Sequence, residues 1–382
     1  MLDPIVRFFR RAVAAVVHGF GLLIAWLVWP LRAGHGWYSR RSWMIKGPLL
    51  AVGILFVGLY GYFFWQTQVW SGFDPDFTEE YNWSARVVPA GQRLPAAEAP
   101  GGDAGPATPA APQCQPSAIV EVVGDLTNSN VNENAWISSM LLYRLGFFGL
   151  NWDHTPFMDN KASFQRGVNQ AVRRTSVELV DALARVRGTS GINSNLQDAR
   201  NNLQFDEYSW YFGLTPFGPK TPTPSYYRAA IDSFKKFNTE LAACNATFDS
   251  RADNLVQFVD RIANDLGSTS AILRERSENH NGGWFDTRAD DRFWFAYGQL
   301  YGYYAILSAA GVDFSQVIRE RNLGALWDDT LGQFRAALRI QPGIISNGRE
   351  DGWIMPTHLA TMGFYILRVR SNLVEIRSVL DR

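Results

Sequence analysis

Nineteen consecutive positions, Gly47 to Trp65 (GPLLAVGILFVGLYGYFFW), carry no charged side chain. As a helix the stretch is about 28 Å long, close to the ~30 Å hydrocarbon layer of a bilayer. The pattern predicts one transmembrane helix over residues 47–66. A second apolar run, residues 5–29, differs: Arg7, Arg10, Arg11, Ala14, His18, Gly21 and Ala25 recur with helical spacing, so polar and small residues share one face. Both its flanks are basic. A helix lying in the inner leaflet, within a basic segment 1–46, is expected there rather than a second span.

After the span, residues 67–85 alternate polar and aromatic positions and read as a juxtamembrane segment along the outer surface. Residues 86–117 are dominated by Pro, Ala and Gly; with so little apolar surface to bury they read as a disordered linker that lifts a domain off the membrane. From Ala118 the period becomes helical. Ile119 to Val123 reads as a short strand or an extended entry, and helices are expected over 132–148, 161–186, 196–205 and 226–243. Others are expected over 292–310, 314–321 and 325–338, with Asp249 capping a long helix before the first of these and Pro356 opening the last. Gly213 to Pro224 holds four prolines and reads as a loop, with a subdomain break near 213–224. The expected fold is all-α: a single transmembrane helix, a disordered linker and a helical-bundle domain over 118–382.

Charge orients the span. Residues 1–46 hold seven Lys or Arg against one acid, Asp3, whereas the first charges after the span are Asp74, Asp76, Glu79 and Glu80. Basic flanks stay in the cytoplasm, which places everything after Trp70 on the outer side. The external part is mildly acidic, which argues against nucleic acid as a partner and leaves the lipid bilayer, another envelope protein or the cell wall. Both cysteines, Cys114 and Cys244, fall outside; a disulfide and two free thiols stay equally open.

The densest chemistry lies in His280 to Gln299 (HNGGWFDTRADDRFWFAYGQ). Carboxylates beside aromatic rings suit glycan cleavage, which needs an acid, a base and stacking platforms. The catalytic candidates are Asp286, Asp290 and Asp291, and the binding candidates Trp284, Arg292 and Trp294. The simpler reading is stronger: the rings follow helical spacing, and Asp290 and Asp291 suit a helix N-terminus, where Thr287 to Asp290 resembles a capping box. His154, His280 and His358 lie far apart, without HExxH or CxxC, so no metal site is expected, and no nucleotide fingerprint or cofactor motif occurs.

The run RADNLVQFVDRIANDLG, the helix DDRFWFAYGQLYGYYAIL, the NGR segment at Asn347 and a last helix opening with His358 resemble a proteobacterial family of uncharacterised membrane-anchored proteins with a helical domain of unknown function. The resemblance runs from about Gly47 to the C-terminus. It implies an inner-membrane protein and carries over no catalytic residue. The function expected is a non-enzymatic, membrane-tethered binding or scaffold module. A cell-wall glycan hydrolase or lyase around residues 280–299, and a ligand sensor acting through a partner, are the alternatives.

Overall fold

The computed structural model describes residues 36–86, 88–95, 113–185, 191–214 and 216–382, with isolated positions between 18 and 34. The expected interfacial helix at 5–29 therefore lies mostly outside the described residues. So do the interior of the Pro/Ala-rich stretch, 96–112, and the end of the predicted 161–186 helix. Two compact units form, Met1–Tyr62 and Phe63–Arg382.

The first unit holds most of α1 (Trp43–Gln68), whose Ile54, Leu55 and Val57 face outward. Among the described residues this one helix is long and apolar enough to span a membrane. Its last turns belong to the second unit.

Within that second unit the chain does not run free after α1. Trp70, Phe73, Phe77, Tyr81 and Trp83 pack on the core, with Phe77 stacked on Tyr301 at 4.7 Å between ring centres. Thr78 donates a hydrogen bond to Tyr304 (3.0 Å), and the Tyr81 hydroxyl donates to Asp125 (2.7 Å). The expected surface segment is thus an aromatic strap, because five large rings gain more from burial than the intervening acids lose. The Pro/Ala-rich stretch is clamped at both ends. Leu94 N–H donates to Gln113 C=O (2.9 Å), Gln115 N–H to Gln92 C=O (2.8 Å), and Cys114 is bonded to Cys244. Both described ends of the expected linker are therefore part of the folded domain.

The remaining elements are helical apart from one small hairpin. Ser117 caps α2 (Ala118–Asn128), and the buried Asp313 carboxylate accepts from Ser117 Oγ (2.7 Å) and from the N–H groups of Ala118 and Ile119. Ile119 to Val123 is therefore helix, not strand; burial on nearly every side had hidden its period. The helix expected over 132–148 breaks into turns and the short α3 (Leu141–Leu145). Next come α4 (Asn160–Glu178), which continues into a π turn at Leu179–Leu183, and α5 (Ser194–Leu203), capped by Asn193. The proline-rich loop contains a hairpin, β1 (Phe212–Leu214) antiparallel to β2 (Phe217–Pro219), with Leu214 paired to Phe217. Then α6 (Thr223–Ala242), α7 (Ala252–Asn279), α8 (Ala289–Asp313), α9 (Ser315–Glu320), α10 (Gly324–Leu338) and α11 (His358–Leu380) complete the bundle. Two capping expectations differ. Asp249 pairs with Arg251 (3.1 Å) instead of capping α7, and Arg288 holds the position before α8.

Three helix pairs build the core: α4 with α8, α7 with α11, and α5 with α6. The α4–α8 pair is the closest. A Cβ at Gly167 would collide with the Phe295 carbonyl, and one at Gly298 with the Phe164 carbonyl; one at Gly302 would press on Ala171. These contacts advance in the same direction along both helices, so α4 and α8 run parallel. Their N-termini lie side by side.

Candidate functional site

Two parallel helices that start together present two sets of unpaired N–H groups and two positive dipole ends. Carboxylates gather there. Asp291 lies in the first turn of α8, Asp159 directly precedes α4, and Asp153 sits in the turn Trp152–His154. One carboxylate oxygen from each lies within 4.8 Å of the other two. Asp291 accepts from Ser163 Oγ at 2.8 Å and lies 3.9 Å from the Arg166 guanidinium. Asp153 accepts from the Tyr143 hydroxyl at 3.2 Å. Asp159 is 0 % exposed, and among the described residues neither of its oxygens meets a hydrogen-bond donor. Aspartate is a favoured cap, yet this one makes no capping bond to α4. Its carboxyl group lies beside that of Asp291 instead.

The electrostatics follow from that crowding. Burial, then the charges of Asp291 and Asp290, pushes the Asp159 carboxyl well above the usual carboxylate range. Burial likewise raises Asp291, and burial followed by the charge of Asp291 takes Asp290 up to about 7. A cleft of about 360 Å³ opens beside the cluster, bordered by Asp153, Arg166, Arg288, Asp291 and Arg292. Arg166 donates to the Tyr208 hydroxyl there at 2.8 Å. Such an arrangement can hold a cation between acids, share a proton between two of them, or seat an anionic group on the arginines.

Asp286 has another role. Its carboxylate accepts from Arg276 through both Nη2 and Nε, from Asn347 Nδ2 at 2.9 Å and from Arg288 N–H. Burial alone would raise its pKa; those donors outweigh it and hold the group below the usual range. Asn347 also donates to the carbonyls of Arg276 and His280, and Gly283 and Asn347 exchange backbone bonds at 2.9 and 3.1 Å. Asp286 therefore clasps loop 280–288 to loop 341–357. The other predicted binding residues scatter. Trp294 packs on Trp70, Phe293 and Tyr297 as part of the core, Arg292 borders the cleft, and Trp284 is exposed.

All of this lies at the end of the domain where α1 enters it. Lys161 Nζ donates to the carbonyls of Gln66 (3.0 Å) and Val69 (2.6 Å), closing the end of α1. Phe63 of α1 packs on Trp152 (5.0 Å between centres), Trp152 on Phe147, and Gln68 donates to the Phe157 carbonyl at 2.9 Å. His154 lies 3.4 Å from Thr287, which joins that loop to the clasp. In and beside these three linked loops Leu145, Phe148, Leu150, Trp284, Phe285, Trp353 and Ile354 are all exposed. Of these only Trp284 is a binding candidate in the sequence; Leu145 ends α3, and the others lie in short irregular loops.

Neither a curated protein nor a solved structure shows similarity to the chain. A bacterial family does match over residues 108–281 and 274–382, which takes in α2 to α11 together with the clasp and every acid of the cluster. The chain belongs to that family, uncharacterised proteins conserved in bacteria with a domain of unknown function (DUF2333).

Proposed function

We propose that the protein is a membrane-tethered binding module of the bacterial envelope, with its helical domain seated directly on the periplasmic face of the inner membrane. One observation carries the reading: loops with exposed apolar tips are joined, through Trp152, Phe157 and His154, to the last turn of a helix that is itself apolar enough to span a bilayer. Phe63 lies within the uncharged run Gly47 to Trp65 and packs on Trp152. Side chains attached to Trp152, such as Phe147 and Phe148, then sit at the depth of the headgroups, where aromatic rings are favoured. Seven exposed apolar residues at one end of a domain are costly in water and stabilising in an interface. The basic N-terminal segment and the Cys114–Cys244 disulfide support the outward orientation. The partner is another envelope protein or the cell wall, met by the surfaces that point away from the bilayer.

Spin labels on full-length Phe148→Cys, Trp353→Cys and Glu320→Cys in lipid bilayers test the seating, since both native cysteines are bonded to each other. The labels at 148 and 353 are expected to collide with oxygen more than with a water-soluble relaxer, and the label at 320 the reverse. Equal exposure to water at all three overturns the reading. A C-terminal reporter that is active only in the cytoplasm overturns the orientation.

A further inference from the structure

The acid cluster has a composition that its protein surroundings leave incomplete. Three carboxylates, Asp153, Asp159 and Asp291, bring oxygens within 4.8 Å of one another, while the nearest cation, Arg166, reaches only to 3.9 Å of Asp291 and donates elsewhere. Asp290, also buried, adds a fourth acid alongside, with one oxygen that meets no donor. The independent sign of a missing ligand is Asp159. It is fully buried, both of its oxygens lack a donor among the described residues, and it forgoes the capping bond that its position before α4 offers. Buried polar groups are nearly always satisfied, and a buried carboxylate without a partner costs several kcal/mol.

We propose that Asp153, Asp159 and Asp291 hold a hard divalent cation at the paired N-termini of α4 and α8. Oxygen-only donors at this spacing suit calcium, magnesium or manganese and not the softer metals that prefer sulfur and imidazole. The charges point the same way: three carboxylates against Arg166 leave an excess of negative charge, to which Asp290 adds, and a divalent ion offsets it. Ser163 and Tyr143 each donate to an outer carboxylate and fix its orientation, the usual task of groups behind a metal's direct ligands. The cation would tie the 152–159 turn to the start of α8, and so lock two of the loops that meet at the end of α1. This holds whether or not those loops touch lipid.

The test uses full-length protein in detergent, stripped with a chelator and titrated separately with calcium, magnesium and manganese chloride. Saturable binding of at least one is expected, with a dissociation constant near the ~10⁻⁴–10⁻³ M of extracellular calcium modules, together with a rise in Tm. Asp159→Asn is expected to abolish that rise, and Asp381→Asn, at the far end of α11, to leave it intact. No saturable binding of any of the three cations, or undiminished binding by a folded Asp159→Asn protein, overturns the proposal. So does a cation-independent Tm that Asp159→Asn raises, which would identify a proton shared between Asp159 and Asp291. Should Asp159→Asn fail to fold, terbium bound to the unmodified protein decides. Emission sensitised through Trp152 or Tyr143 and displaced by calcium supports the site, and its absence overturns it.

Discussion

Two acidic sites flank the start of α8, and they are built in opposite ways. Asp286 is surrounded by donors from its own chain: Arg276, Asn347 and the Arg288 N–H together satisfy the carboxylate and hold loop 280–288 to loop 341–357. Asp159 and Asp291, near the same helix end, face other acids, and among the described residues Asp159 meets no donor. Residue type does not separate them. What separates them is whether the protein supplies the countercharge, and that makes one a structural clasp and the other the proposed cation site.

The comparison breaks first at Arg276. Arg276→Met removes the cation from a carboxylate whose side chain is only 1 % exposed. Loss of one partner of a buried pair typically costs about 3–5 kcal/mol, so thermal unfolding of the solubilised protein should fall by many degrees, with or without divalent cations. A loss below ~1 kcal/mol would mean that Asn347 and the backbone carry the clasp alone. The next effect is at Gly298, where any side chain meets the Phe164 carbonyl. Gly298→Ala should cost about 1–3 kcal/mol by overpacking. Because it pushes α4 from α8, it should also weaken the cation response, whereas Arg276→Met should not. The third effect has the opposite sign. Asp159→Asn relieves the crowding of a buried acid against Asp291 and should stabilise the cation-free protein by roughly 1 kcal/mol, while Asp286→Asn destabilises it.

Much of the fold was legible because the helices that matter are long and periodic. α7 and α8 could be read from Leu255, Phe258 and Ile262 and from the ring spacing of Phe293, Tyr297 and Tyr301, all of which are buried. The 118–123 run misleads because Ile119, Val120, Val122 and Val123 are buried together, which erases any period. The strap misleads for a different reason. Asp74, Glu79 and Glu80 give it the look of a surface segment, whereas its rings are spent on Tyr301 and Phe164. Asp290 and Asp291 stood out in sequence, but Asp153 and Asp159 did not, since each lies in an irregular turn and meets Asp291 only through the parallel crossing of α4 and α8. Gly298 and Gly302 are where a neighbouring helix approaches closely, but nothing in the sequence says which one.

The smallest effect is read in the pH dependence of the clasp, and its sign follows from linkage. Donors hold the folded Asp286 pKa below the ordinary 3.8. A carboxyl whose folded pKa is depressed contributes stability that is fully present above the unfolded value and is lost as pH falls through the folded one. The gap in Tm between the unmodified protein and Asp286→Asn should therefore stay constant from about pH 7 down to about pH 5. It should narrow only below about pH 4, where the unfolded chain already carries the proton and the clasp begins to take it up. A gap that instead widens as pH falls from about 7 to about 5 would place the Asp286 pKa above the ordinary range. The clasp would then be as starved of donors as Asp159, and the contrast between the two sites would fail.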